Sequence, residues 1–595
     1  MQTKYITCLL LFMSTTFFAQ TKLNEKSLDK KLKELQKATQ TVGFSVAIVK
    51  GNKIIYSKGF GYRDLDKKLK ADENTLFAIG STTKAFTVGL LGIMEKEKGL
   101  KFTDSPRKYL PKLDFYNDEL NNKITILDII SHRTGLPRHD FSWYLFPSES
   151  KDSLLARIKY QEPFTGIRQQ WFYNNFMYLA QGLITEKLTG KSWEDNVRER
   201  FFKPLQMSTS NLTIEELQKQ SNISKGYSLQ NFETNTLTPY YNIAAISPAG
   251  SINSSAKEMA NWLKIWLNEG KFNNSQVLPK KYVEKAINPL MLVGGGIADK
   301  QFPDQHLNSY GYAWFTSSYK GHYRLEHGGN IDGFTANVSF FPTDKIGVVV
   351  LANQNGSLLP TLIRNAISDE ILNLKETDWV GYYQKRIDQA KRQLRGNKKK
   401  EKENKVSNTK PIHSLTEYTG SYNHKGYGTF KIEMKNDSLW AKFTREKAYL
   451  KHVHYDIFKP NAVKKNKVTT GGFGFNFNFQ TNDLGDIESV KLKLEPTLKP
   501  LVFKRSLEEV TVTKKTLNKY VGSYLLSGTE VQIAIKNKNL TLSIPGQPEY
   551  TLIPIKESVF SIKGLAGYKA EFKENSGKLN LVLHQPNGTF TAIKK

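Results

Sequence analysis

"LTEYTGSYNHKGYGTFKIEMKNDSLWAKF", Leu415 to Phe443, returns in outline as "LNKYVGSYLLSGTEVQIAIKNKNLTLSI", Leu517 to Ile544. Both stretches carry L-x-x-Y-x-G-S-Y, then an alternating strand, a short polar turn and a second strand. The equivalent tyrosines, Tyr422 and Tyr524, stand 102 residues apart. That period is the size of a domain and far too long for a solenoid unit. Each copy is dense in short alternating strands and turns, which predicts a small antiparallel barrel or sandwich. The C-terminal part of the chain is therefore two all-β modules, at 411–508 and 511–595.

Ahead of them, Lys385 to Lys410 holds eleven Lys or Arg against three acids. Its start reads as helix and the rest as a polar, basic linker, 376–410. The region 20–375 mixes both kinds of element. A helix is expected over Ser27–Ala38, then a hairpin about Gly51-Asn52. Ser255-x-x-Glu258 forms a capping box ahead of a helix whose Met259, Trp262, Leu263, Trp266 and Leu267 share one face. Strands return between Tyr310 and Asn353. Strands at both ends with helices between predict an α/β domain, with one mixed sheet closed by the two ends of the domain.

"MQTKYITCLLLFMSTTFFAQTK" has an early lysine, an apolar core from Ile6 to Phe18, and then Ala19-Gln20. That is the pattern of a secretory signal, residues 1–19, and it predicts a periplasmic or secreted protein with no membrane span after cleavage. The sole cysteine, Cys8, lies inside the leader. The mature chain thus excludes disulfides, thiolate catalysis and cysteine-ligated zinc. The formal charge is +30, but the lysines are dispersed and no groove-reading motif accompanies them, so nucleic acid is not an expected partner. Anionic envelope polymers fit the charge better. His452-x-His454 puts two histidines on one strand without a third ligand, so no metal is expected there, and no cofactor elsewhere.

"FAIGSTTKAFTVGLLGIMEKEKGL" places Ser81 and Lys84 three residues apart on an otherwise apolar helix, hence on one face. A serine beside a desolvated lysine is activated for attack, because the amine can take its proton. "WFYNNFMYLAQGLITEKLTG" sets Tyr173 and Asn175 at a loop-to-helix junction, with both polar tips free to enter a cleft. "RLEHGGNIDGFTANVSF" brings His327, Gly328 and Gly329 into a strand. Glycines there let a substrate backbone approach the strand edge, and the Asn330 amide is placed to hold an oxyanion.

The three motifs follow at intervals of 92 and 154 residues. This order resembles the serine β-lactamase and penicillin-binding protein superfamily, in its class C β-lactamase and D-Ala-D-Ala carboxypeptidase B branch. "ISHRTGLP", "FFKPLQM" and "YGYAWF" are similar to recurring segments of that family. The resemblance implies that Ser81 is the acylated nucleophile, Lys84 and Tyr173 share the proton traffic, and Asn175 orients substrate. It leaves open whether lysine or tyrosine is the base. His327 and Gly328 stand where many relatives have the lysine and threonine of K-T-G. That departure implies a site without a permanent cation at that position, poorly suited to β-lactams.

The expected function is a serine hydrolase working through an acyl-enzyme on amides or esters, foremost a peptidase for D-residue or cell-wall-type peptides, its substrate a small molecule or a peptide derived from peptidoglycan. A carboxylic esterase, a weak β-lactamase, and a slowly deacylating penicillin-binding-type protein whose modules hold envelope polymer are the alternatives. All candidate site residues precede the linker, so the modules are expected to tune the site without building it.

Overall fold

The run Ile346–Ala352 is buried at every position, and its side chains alternate between two cores. Val348 and Val350 face one; Val349 and Leu351 face the other. A strand apolar on both sides belongs at the centre of a covered sheet. In the computed structural model it pairs on one side with Phe334–Phe341 and on the other with Gly43–Lys50, Phe44 opposite Ala352. Nine strands form this sheet, from Met291–Gly295 at one edge to Leu69–Lys70 at the other. The two ends of the domain close it, as expected. It is antiparallel throughout rather than mixed, because the strands from Leu307 to Ala352 follow one another through short reversals.

The structure describes residues 23–595 apart from 301, 465–466, 484, 507–509, 566–567, 576 and 586–587. The segment 1–19 read as a secretory signal, with Cys8, lies outside the described residues. Among the described residues no helix is long and apolar enough to cross a membrane.

The helix Glu25–Thr39 covers one face of the sheet with Leu28, Leu32 and Leu35, beside the helix Leu359–Ile371. The opposite face carries the helices Lys84–Lys98, Asn175–Thr189 and Ala256–Leu267. Ser255 caps the last of these, its Oγ accepting from the Glu258 amide at 3.2 Å. The reciprocal half of the expected box is not made: the Glu258 carboxylate turns outward to the Thr209 and Ser210 amides, each at 2.8 Å.

The segment read as a linker differs from expectation. Trp379–Glu403 is a single helix of 25 residues. Its first turns belong to the N-terminal α/β domain, with Trp379 and Tyr383 buried in the core beneath the sheet and Trp379 Nε1 donating to Asp369 at 3.0 Å. Composition concealed this, since two aromatics carry the packing while Lys385, Lys399 and Lys400 beyond them face solvent.

Both C-terminal modules are closed antiparallel barrels rather than sandwiches. The first runs from Gly420–His424 to Leu501–Ser506, closing where Lys447–His454 meets Ile457–Lys464, with Lys467–Gly472 added at its rim. The second is an eight-stranded meander whose first and last strands pair at Tyr524 and Lys594. The repeated motif has one structural meaning in both. Tyr422 and Tyr524 are fully buried, and their hydroxyls donate back to the carbonyls of Tyr418 and Tyr520 at 2.8 and 2.7 Å. The glycine between, Gly420 or Gly522, has φ of +134° or +143°, a conformation that a side chain resists.

Candidate active site

Ser81 lies on the tight turn Gly80–Thr83 that leads into the helix Lys84–Lys98. Gly80 opens the turn at φ +52°. A Cβ there would stand 3.0 Å from the Asn330 amide nitrogen, and one on Gly329 only 1.9 Å from the Ile79 carbonyl oxygen. The two glycines thus allow the strand His322–Ile331 to press against the turn that carries Ser81. Gly329 serves this internal contact and not the approach of a substrate. Gly328 is the exposed one, with only the Ala336 carbonyl near its added Cβ, at 3.7 Å.

The strand pairs with Phe315–Tyr319 from His322 to Glu326 and with Phe334–Phe341 from Leu325 to Ile331, so from His327 onward it is paired on one side only. Its free edge from His327 onward faces Ser81. The Asn330 side chain is engaged elsewhere, with Asn355, Thr335 and Gly356. Asn330 and Ser81 both line the cleft.

Lys84 is fully buried. Its Nζ donates to Ser81 Oγ at 3.3 Å and to Asn175 Oδ1 and the Ala249 carbonyl at 2.7 Å each. None of these acceptors is charged. Burial, with the Arg138 guanidinium nearby, holds the amine well below the usual lysine range; Asp140 opposes only in part. Tyr173 packs against it, Nζ lying 4.7 Å from the ring centre. Burial pushes the phenol above its ordinary range, while Ser81 and Arg138 pull the other way. The phenol oxygen is buried and makes no hydrogen bond; its influence from Ser81 is one of proximity. One lysine primed to accept a proton and one phenol primed to keep its own now flank Ser81.

His327 is buried behind this pair and does not face the cleft. A ring nitrogen, Nδ1, donates to the Gly328 carbonyl at 2.6 Å, and Nε2 accepts from Tyr310 at 3.2 Å; since a carbonyl can only accept, the partners assign this tautomer. Burial, then Lys84, lowers its pKa to about 3. It is a neutral packing residue against Tyr173, at 6.2 Å between rings, not a contact for substrate.

Asn175 opens the helix Asn175–Thr189, capped by the Asn174 side chain on the Phe176 amide at 2.9 Å. Its Oδ1 holds Lys84, and its Nδ2 donates to Asp140 Oδ1 at 2.8 Å. Asp140 also pairs with Arg138 at 2.6 Å, and the guanidinium lies 4.7 Å from the Tyr173 ring centre. Sequence reasoning missed Arg138, Asp140 and Trp143. They follow "ISHRTGLP" directly, and that adjacency was the available signal. With Ser81, Asn175 and Asn330 they line a cleft of about 350 Å³. A permanent cation is therefore present after all, brought by a loop rather than by the K-T-G position.

His452 and His454 sit apart from all this, Nε2 of the first meeting the Tyr455 carbonyl at 2.8 Å and Nδ1 of the second the Val406 amide at 3.4 Å.

Several known proteins are similar to this chain. Protein flp of Staphylococcus aureus (strain MW2) is 27% identical over 348 residues, 57% of this chain and 64% of that relative; the chain thus spans less than two thirds of its length. Unguisins hydrolase ungD' of Aspergillus campestris is 28% identical over 415 residues, 66% of this chain and 74% of that protein. The octameric penicillin-binding protein homologue from Pyrococcus abyssi shares the fold, with a TM-score of 0.55 at 20% identity over 81% of this chain and 100% of that one. Residues 404–505, which include the first barrel, match a domain of unknown function, DUF3471. Residues 28–370, more than half of the chain, match the family model described as Beta-lactamase, and the chain belongs to that family.

Proposed function

We propose that the protein is a serine hydrolase that forms an acyl-enzyme at Ser81, acting outside the cytoplasm on peptides of the D-residue or cell-wall type. The observation that carries this reading is the environment of Lys84: buried, without a carboxylate partner, and hydrogen-bonded to Ser81 Oγ at 3.3 Å. A neutral amine there takes the serine proton as Oγ attacks the carbonyl. The amides of Ser81 and Asn330 receive the oxyanion. Tyr173, kept protonated by burial, passes a proton to the leaving group, and water then releases the acid. Lys84 is thus the base and Tyr173 the acid.

Arg138 in the cleft supports a substrate bearing a carboxylate over a neutral ester. The leader at residues 1–19 supports export. A relative named as a hydrolase supports turnover over stoichiometric acylation.

Intact-mass analysis with a fluorophosphonate tests the assignment. The wild-type chain is expected to gain one adduct, and Ser81→Ala none, with its circular dichroism unchanged. Labelling that persists in the variant places the nucleophile elsewhere. A panel of p-nitroanilides, p-nitrophenyl esters and a penicillin then ranks peptidase, esterase and β-lactamase, with kcat/KM highest for anilides whose acyl part carries a free carboxylate.

A further inference from the structure

The cleft loop that carries Arg138, Asp140 and Trp143 does not end in the core of its own domain. Leu145 and Phe146 are buried inside the first barrel, among its core side chains. The Phe146 ring lies 5.9 Å from Phe503 and nearly parallel to it, with Phe443 at 5.6 Å, Tyr427 at 6.2 Å and Phe430 at 6.4 Å. Gly428, at φ +123°, makes room for it: an added Cβ would stand 3.3 Å from the ring. A barrel of this size must be filled by side chains, and here one end is filled by a residue of the catalytic domain.

Polar contacts fasten the same loop along its length. Ser142 Oγ donates to the Gly426 carbonyl at 2.7 Å, the His139 amide donates to Glu495 Oε1 at 2.8 Å, and His139 Nδ1 meets the Tyr427 hydroxyl at 2.8 Å. Gly426, Tyr427 and Glu495 all belong to the first barrel. From the loop, Asp140 Oδ1 accepts from Asn175 Nδ2 and from Trp143 Nε1 at 2.9 Å. Asn175 Oδ1 in turn accepts from Lys84. A continuous chain of contacts runs from the barrel through the loop, Asp140 and Asn175 to the amine beside Ser81.

We propose that the first barrel is a structural part of the catalytic centre, with Phe146 and Asp140 as positioning residues. By gripping Phe146 and the His139 amide, the barrel fixes Asp140, which fixes Asn175 and so aims Lys84 at Ser81 Oγ. This replaces the expectation that both modules tune the site without building it. A motif reading assigned the site to the residues ahead of the linker, whereas the loop that orients them is anchored behind it. The inference rests on Ser81 as the labelled nucleophile. The two fail separately: Ser81→Ala decides that assignment in the otherwise native chain, while the variants below are all measured against wild-type labelling.

The test is the second-order rate of fluorophosphonate labelling in the full chain, with Tm measured alongside. Phe146→Ala is expected to remain folded at the assay temperature and to label about 10- to 100-fold more slowly, the scale of a catalytic group misplaced by about 1 Å. Phe146→Leu, which refills the barrel end, restores most of the rate. Asp140→Ala slows labelling similarly, and the double variant Phe146→Ala/Asp140→Ala is no slower than the worse single one, because both act through one chain of contacts. A wild-type rate in folded Phe146→Ala, or losses that multiply in the double variant, overturns the proposal. If Phe146→Ala does not fold, Glu495→Ala decides instead: it removes the barrel carboxyl that holds the His139 and Arg138 amides of the loop and leaves the barrel core filled, and is expected to slow labelling at least several-fold. An unchanged rate there overturns the proposal equally.

Discussion

Lys84 places an amine where a cation is costly, and most of the chemistry follows from that one conflict. Burial lowers its pKa from the ordinary 10.5, so the acylation rate should rise with pH through the depressed value and level off above it. Lys84→Arg cannot lose its proton and should label at least about 100-fold more slowly at every pH, the scale of general-base catalysis. The same shift has a sign in stability. Between the depressed folded value and 10.5 the unfolded chain binds more protons at this group than the folded one, so stability from it rises with pH. Below the folded value both states are protonated and the full cost of burial is felt. Denaturation of wild type and Lys84→Met across this range should therefore move in favour of wild type as the pH is raised; a flat difference would mean that Lys84 is not shifted. Tyr173 is checked by leaving group. Tyr173→Phe should cut turnover of p-nitroanilides by about 100-fold or more and leave p-nitrophenyl esters nearly untouched, since nitrophenolate departs without a proton. Equal losses would assign Tyr173 to the attack step. Ser81, Lys84 and Tyr173 were legible because each stands in a motif with fixed spacing. Arg138 and Asp140 were not, because no local pattern marks a loop residue whose partner, Asn175, is 35 positions away.

At the scale of elements, the contact between the strand His322–Ile331 and the turn that carries Ser81 separates two glycines that look alike in sequence. Gly329→Ala sets a methyl 1.9 Å from the Ile79 oxygen. It should destabilise the domain by about 1–3 kcal/mol, as overpacking does, and spread the two oxyanion amides. Gly328→Ala meets nothing closer than 3.7 Å and should keep its Tm and a labelling rate within about threefold of wild type, since surface substitutions of this kind change stability by about 0.5 kcal/mol or less. Thermal melts and probe labelling of the two variants check the contrast, and equal effects would refute it. The strands themselves were readable. "IGVVVLAN" is apolar without alternation, as a strand covered on both faces must be, and the paired L-x-x-Y-x-G-S-Y motifs announced two like modules. Barrel closure was not readable, because it depends on which distant strands meet, here Gly420–His424 with Leu501–Ser506. Nor was the helix Trp379–Glu403, whose lysine content masks the two aromatics that dock it.

Across the whole molecule the two barrels have unequal standing. The second has a core of its own and is tied to the first by Lys569 and Asp486, an ion pair at 2.5 Å. A domain with its own core and a polar contact is separable, so a chain ending at Ser506 should fold and label with the probe within about twofold of the full-length rate. A chain ending at Leu374 should not, since it lacks both the grip on Phe146 and the buried Trp379. Gel filtration, circular dichroism and labelling of the two truncations decide the matter, and an inactive chain ending at Ser506 would bring the second barrel into the site. The pairing of Phe44 with Ala352 and the seating of Phe146 beside Phe503 also set a schedule. Contacts so distant along the chain form late and slowly. As the polypeptide emerges from its N-terminus, the first strand waits for the last strand of its sheet, and the cleft loop waits longer still, until the barrel behind it is complete. The arrangement behind the cleft is therefore completed only once the first barrel has been made, and a molecule interrupted before then carries Ser81 without the support of its cleft loop.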